Sequence, residues 1–250
     1  MTLAALGELG TAVDAFETER LDLDERLVAA SFPEAPRSEL GELGHDVDVC
    51  VRYQLIPAAS EALTAYALEA ARMVGLGPEE FARYLRREEA VARLHGSRYH
   101  SVAGYKLRIA FKAAYFFLRA HQDMLFRVAF YALEGSFPSR GKTGTMGAAV
   151  TNPDSPVGRH LAAHVPAYAE WFMRWRDQRN RVKKGVSFST FATDDIGICF
   201  STFTNEGGVL GDPTNRLGLR DVAGALTLVT QVMQSIPTAA QTAAQERETA

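Results

Sequence analysis

The chain has 250 residues, of which 47% are apolar, 23% charged and 10% aromatic. That composition builds a real core and excludes disorder, a collagen-like repeat and a disulfide scaffold. The formal net charge of −3 gives no whole-chain attraction to nucleic acid, although the charge is unevenly placed. Residues 1–48 hold twelve acids against three bases, residues 83–127 ten bases against three acids, and residues 165–185 six bases against two acids. An acidic N-terminal layer over a basic middle predicts internal charge pairing, or else a basic surface for an anionic partner that the acidic segment partly screens.

Cys50 and Cys199 stand too far apart for a CxxC pair or a zinc framework, and two free thiols fit a reducing compartment. The N-terminus lacks a basic leader, and the most apolar stretch, 105–133, carries Lys106, Arg108, Lys112, Arg119, Asp123 and Arg127. No signal peptide and no membrane span are expected, so the sequence reads as cytoplasmic.

Apolar spacing of three and four dominates and predicts a mainly α-helical protein. Residues 2–31 read as one helix, with Leu21-Asp22 the point where it would break. Pro36 to Gly44 reads as loop. Asp46 or Asp48 caps the next helix, which Pro57 kinks or restarts and which ends at Gly75 and Gly77. Pro78-Glu79-Glu80 opens another, running to about His95. A long helix covers 101–134 and stops at Gly135. Residues 136–156 read as an irregular loop, followed by a short helix over 157–164 and a basic helix over 167–184.

The period then becomes two. Phe-Ser-Thr-Phe occurs at 188–191 and again at 200–203, with turn chemistry at Thr193-Asp194-Asp195, which predicts a β-hairpin over 186–203. The last helix carries Leu219, Val222, Leu226, Val229, Met233 and Ile236, and Pro237 ends it ahead of a frayed tail, 238–250. Its regular stripe predicts self-association into a homodimer. No βαβ unit is present, and the whole chain reads as a single domain of N-terminal helices (1–95) and a helical core (98–236).

Few residues point to chemistry. Gly141-Lys142-Thr143 ends like a phosphate loop, but Ser136 stands where its first glycine belongs and a helix precedes it. His160 and His164 share a helix face, yet Leu161-Ala162 replaces the Glu of a zinc-protease helix, so both read as surface histidines. No metal site and no cofactor are expected. His121 falls on the apolar stripe of the long helix, close to Asp123, the only acid on that helix between Tyr105 and Leu133; an Asp there could pair with an Arg on a facing helix. The most informative stretch is Trp171-Phe-Met-Arg-Trp-Arg-Asp-Gln-Arg-Asn-Arg-Val-Lys-Lys-Gly185. On a helix it sets Tyr168, Trp171, Trp175, Gln178 and Val182 on one face, with Arg176, Arg179, Asn180 and Lys183 beside them.

A helix with W-x3-W-R-x2-R-N and a basic end resembles the fourth helix of HEPN-type four-helix domains. The preceding helix, with Ala120, Asp123, Ala129 and Leu133, resembles that family's acid-containing helix, and the resemblance covers residues 100–235. It implies a HEPN-like four-helix core with an N-terminal helical extension and the hairpin. The family contains metal-independent ribonucleases of toxin and phage-defence systems as well as non-catalytic members. Its active motif is Arg, four to six residues, then His, often Arg-Asn-x3-His. Arg179 and Asn180 match its start, but Lys184 stands where the His belongs, and no histidine follows His164. Proton transfer near neutrality suits a group with a pKa near 7, whereas a free lysine titrates near 10.4. The resemblance therefore implies a non-catalytic protein that binds RNA or a protein partner, in a defence or toxin–antitoxin-like system. Arg176, Arg179, Lys183, Asp123 and His121 would be its binding residues. The alternatives are a ribonuclease using Arg179, Asn180 and Lys184, and a plain helical oligomerisation module.

Overall fold

In the computed structural model the described residues are 2–80, 83, 102–138, 145–152, 154–183, 188–193, 197–202 and 216–248, and they are mainly helical. Helix α1 spans Thr2–Ala29 without a break at Leu21-Asp22. It ends in a left-handed cap: Ser31 has φ 55°, its N–H bonds the Val28 carbonyl, and the Phe32 N–H reaches back to Leu27 at 2.9 Å.

Helix α2 covers Glu34–Cys50, replacing the loop expected over Pro36 to Gly44. Pro36 lies in the first turn, where its missing N–H is not needed. Gly44 is there for packing: a Cβ at this position would lie 2.4 Å from Arg20 Cδ. A five-residue π-turn, Val51–Leu55, then leads into α3, Ile56–Val74. It sits just before Pro57, the expected site of a kink, because a proline ring crowds the carbonyl one turn back and a wider turn relieves it.

Helix α4 is Val102–Glu134 and ends at Gly135, φ 71°. The expected loop 136–156 contains a short helix, α5, Met146–Thr151, capped by Thr145 Oγ1 accepting from the Ala148 N–H. Helix α6 (Pro156–His164) is capped by Ser155, and α7 is Tyr168–Lys183. Extended segments follow at Phe188–Thr193 (β1), Gly197–Thr202 (β2) and Arg216–Gly218 (β3), in the order β1-β2-β3, all antiparallel. The turn of the expected hairpin, 194–196, and its flanks 186–187 and 203 lie outside the described residues. Helix α8 starts at Leu219 and continues through Pro237 to Glu248, past the expected stop. The Ala-, Gln- and Glu-rich stretch after Pro237 has high helix propensity.

The buried apolar residues form one core reaching from Ala5 to Ile236. Helix α1 lies along α8, α2 lies along α4, and α4 and α8 meet between them. So α1 is a wall of the core rather than an outer extension: Leu9, Val13, Phe16 and Leu23 are fully or almost fully buried. The stripe expected to form a dimer, Leu219 to Ile236, is wholly buried inside the chain, which leaves it no face for a second copy. Acidic residues of the N-terminal segment pair outward in three places, Glu8 with Arg220, Asp14 with Arg52 and Glu39 with Arg127, whereas Asp24 pairs with Arg37 inside the segment. No helix among the described residues is long and apolar enough to cross a membrane.

Candidate functional site

Helix α7 is anchored through its first two turns. Tyr168, Phe172 and Trp175 are buried, and each meets α4 or its own neighbours ring to ring. Trp175 stacks on Tyr115 with 3.7 Å between centroids and 6° between planes; Tyr168 packs on Trp171 and Phe172 at 5.4 and 5.8 Å. Arg119 of α4 lays its guanidinium 4.6 Å over the Phe172 ring and pairs with Asp123 at 2.7 Å. Asp123 thus has an ion-pair partner on its own helix, one turn away, where an arginine of a facing helix was expected.

Burial shapes the titration here. It pushes the Tyr168 and Tyr115 hydroxyls upward, with nearby Asp221 reinforcing Tyr115 and Asp123 reinforcing Tyr168. Among the described residues neither hydroxyl, nor the Trp175 Nε1–H, has a hydrogen-bond partner. Asp221 is raised by burial, against the opposing pull of the Gly218 N–H and of Arg174, whose guanidinium it holds at 2.7 Å. The first cation of the basic helix is therefore paired to α8, not to the acidic N-terminal segment.

Beyond Trp175 the helix changes character. Arg176 is half-buried, its Nη1 3.8 Å from Met173 Sδ and close under Gly147 of α5, where a Cβ would lie 3.5 Å away. Arg176, Arg179 and Lys183 follow at steps of three and four, so their Cα positions continue the side of the helix that carries Phe172. Asn180 is half-buried one step round. Lys184 lies outside the described residues.

His121 is not part of this group. It stands two residues from both Arg119 and Asp123, about 200° around the helix by the geometry of 3.6 residues per turn. It packs edge-on against Phe16 of α1 at 5.2 Å, beside Gly44. Burial, with a smaller push from Arg20, lowers it to about 3, so it is neutral, and neither ring nitrogen has a partner among the described residues. Two of the five residues proposed as a binding set, Asp123 and His121, thus lie on different sides of α4.

Sequence reasoning missed the other buried histidine. His160, read as a surface residue, is buried, with Nε2 2.9 Å from Ser235 Oγ of α8. The Ser235 hydroxyl bonds its own helix carbonyl at Val232, so the imidazole is the donor. Burial, then the neighbouring His164 ring 4.5 Å away, lowers His160 to about 4. The signal available was the i, i+4 pair itself, without a hint of which member faces inward. Among the described residues no three His, Cys, Asp or Glu side chains cluster in a way that would hold a metal ion. No family model, curated protein or solved structure matches this chain.

Proposed function

We propose that this chain is a HEPN-like helical protein that binds RNA without cleaving it, through the C-terminal half of α7. The observation that carries the reading is the change of character along that helix. Its first half is fixed in the core by Tyr168, Phe172 and Trp175. Its second half sets Arg176, Arg179 and Lys183 in a row, with Asn180 beside them. A row of cations at helical spacing, on a helix anchored in the core, suits a phosphate backbone, with guanidinium forks gripping phosphate oxygens.

Proton transfer has no support in the same place. The described histidines at hand, His121 and His160, are buried, depressed and turned toward other elements. A helix C-terminus favours the charged form of a lysine such as Lys184, against the lowering needed for a base. Involvement in a defence or toxin–antitoxin-like system belongs to this reading through the family resemblance alone.

The test is binding of a labelled single-stranded RNA followed by anisotropy, with chelator present. Binding that weakens steeply with salt, and whose salt slope shrinks in Arg176→Ala/Arg179→Ala, is expected. The RNA stays intact. RNA cleavage by the wild type that both Arg179→Ala and Lys184→Ala abolish would replace this reading with the ribonuclease using Arg179, Asn180 and Lys184.

A further inference from the structure

Helix α6 is short and held at both ends. Ser155 caps its start by accepting from the Gly158 N–H at 3.0 Å. At its end the Val165 N–H bonds the Leu161 carbonyl at 2.8 Å, and both of those side chains are buried. His160 and His164 therefore stand one turn apart on a fixed backbone, with 4.5 Å between ring centres and 36° between planes. His160 is buried and His164 is exposed, so the pair sits at the edge of the core with one side open to water.

The inner ring has its proton placed by α8. The Ser235 hydroxyl gives its only proton to the Val232 carbonyl at 2.7 Å, so it takes the His160 Nε2–H at 2.9 Å. That fixes the tautomer of the neutral imidazole and leaves the lone pair on Nδ1. A histidine that ligates a metal ion characteristically donates its other ring N–H to an oxygen in this way, which holds the ring and raises its basicity. Burial keeps His160 unprotonated near neutrality, so a metal ion displaces no proton from it.

The ring spacing selects the metal. Metal–nitrogen bonds of about 2.0–2.1 Å meeting at a right angle place two imidazole centres about 4.5 Å apart, whereas the tetrahedral angle of zinc separates them by about 5.2 Å. The observed 4.5 Å is the right-angle value. We infer that His160, through Nδ1, and His164 hold one Cu²⁺ ion in adjacent positions of a square-planar site. Among the described residues no third His, Cys, Asp or Glu joins them, so water fills the remaining positions. Copper is favoured twice, by the angle and by the order of divalent-metal affinities for nitrogen ligands. The site does not use the cations of α7 and does not rest on RNA binding.

Titration of the full chain with Cu²⁺, followed by electron paramagnetic resonance and thermal melting, tests this. The wild type is expected to bind one Cu²⁺ with nitrogen splitting from two imidazoles, and to melt at a higher temperature when loaded. His164→Ala changes an exposed position, so its metal-free melt should match the wild type while the two-imidazole spectrum disappears and binding weakens about tenfold or more. His45→Ala removes an exposed histidine outside α6 and should leave spectrum and affinity unchanged. Zn²⁺ should bind about tenfold or more weakly than Cu²⁺. A wild type that takes up no Cu²⁺, a His164→Ala protein that keeps the spectrum and affinity, a His45→Ala protein that loses them, or Zn²⁺ bound as tightly as Cu²⁺ overturns the inference.

Discussion

Tyr115 and Trp175 lie nearly parallel, ring on ring, and join α4 to α7 at the point where the tryptophan helix leaves the core. Both polar tips, the Tyr115 hydroxyl and the Trp175 Nε1–H, are buried without a hydrogen-bond partner among the described residues. The pair therefore works through apolar contact area and stacking, and its hydrogen-bonding groups add nothing. Trp175→Ala should cost about 3–5 kcal/mol through the cavity it leaves. Tyr115→Phe keeps the ring and removes an unsatisfied hydroxyl, so it should leave stability unchanged or raise it by about 1 kcal/mol. Urea denaturation of the two variants checks both. A Tyr115→Phe protein as weak as Trp175→Ala would contradict the account.

His121 makes the fold sensitive to acid. It is neutral in the folded chain, lowered to about 3, while a free histidine titrates near 6.5. Between those values the unfolded chain binds a proton that the folded chain refuses, so the stabilisation present above pH 6.5 is lost as the pH falls toward 3. His160, lowered to about 4, acts in the same direction over the upper part of the window. Each histidine contributes a slope of up to about 1.4 kcal/mol per pH unit. His121→Leu keeps an apolar group against Phe16 and should flatten the fall in urea midpoint between pH 6.5 and 4.5. An equally steep profile in the variant would assign the acid sensitivity to carboxylates.

Much of the helix order was legible because apolar residues at steps of three and four directly report a buried stripe, as in Leu219 to Ile236. What such a stripe packs against is not encoded in its period. The same six residues suit a dimer seam or an internal wall, and they turn out to line the wall built with α1. Pro36 to Gly44 was misread as a loop because Pro and Gly speak locally for a break, while Arg20 crossing over Gly44 is a contact between helices that no local window contains. His121 and Asp123 look adjacent in the sequence, yet the helical rotation places them on opposite sides of α4. In the basic helix, the anchors Tyr168 and Trp175 lie on the face read from the sequence while the third, Phe172, does not, and the partner of Arg174, Asp221, stands 47 residues away.

The Arg20–Gly44 crossing gives a direct test of that contact. A Cβ at Gly44 would meet Arg20 Cδ at 2.4 Å, Cγ at 3.1 Å and His121 Cδ2 at 3.4 Å. Arg20 is also held by a two-pronged bond to Glu17. Gly44→Ala raises helix propensity by about 1 kcal/mol at an interior site. Here the overpacking should outweigh that gain and leave a net loss of about 1–2 kcal/mol. Adding Arg20→Ala should recover part of the loss, since it removes the atoms in conflict. A thermal melt of the single and double variants decides it, and a Gly44→Ala protein more stable than the wild type would show that the helices have room to spare.

Two helix ends use the same left-handed residue but with different chemistry, and this yields opposite expectations. Gly135 closes α4 at φ 71° with its N–H bonded to the Tyr131 carbonyl at 2.8 Å. Ser31 closes α1 at φ 55°, where a side chain is disfavoured by about 1 kcal/mol or more. The surroundings hold Ser31 there: Phe32 makes the second cap bond to Leu27 and packs on Tyr131 at 4.8 Å, tying the end of α1 to the end of α4. Ser31 itself is exposed, so no contact is lost on removing its side chain. Ser31→Gly should therefore stabilise the protein by about 0.5–1 kcal/mol, after subtracting the extra freedom glycine gives the unfolded chain. Gly135→Ala should destabilise it by about 1 kcal/mol, because alanine must adopt the left-handed conformation. Urea midpoints that move in opposite directions for the two variants meet the expectation. If Ser31→Gly proves the weaker protein, unfolded-state entropy outweighs the backbone strain at this cap.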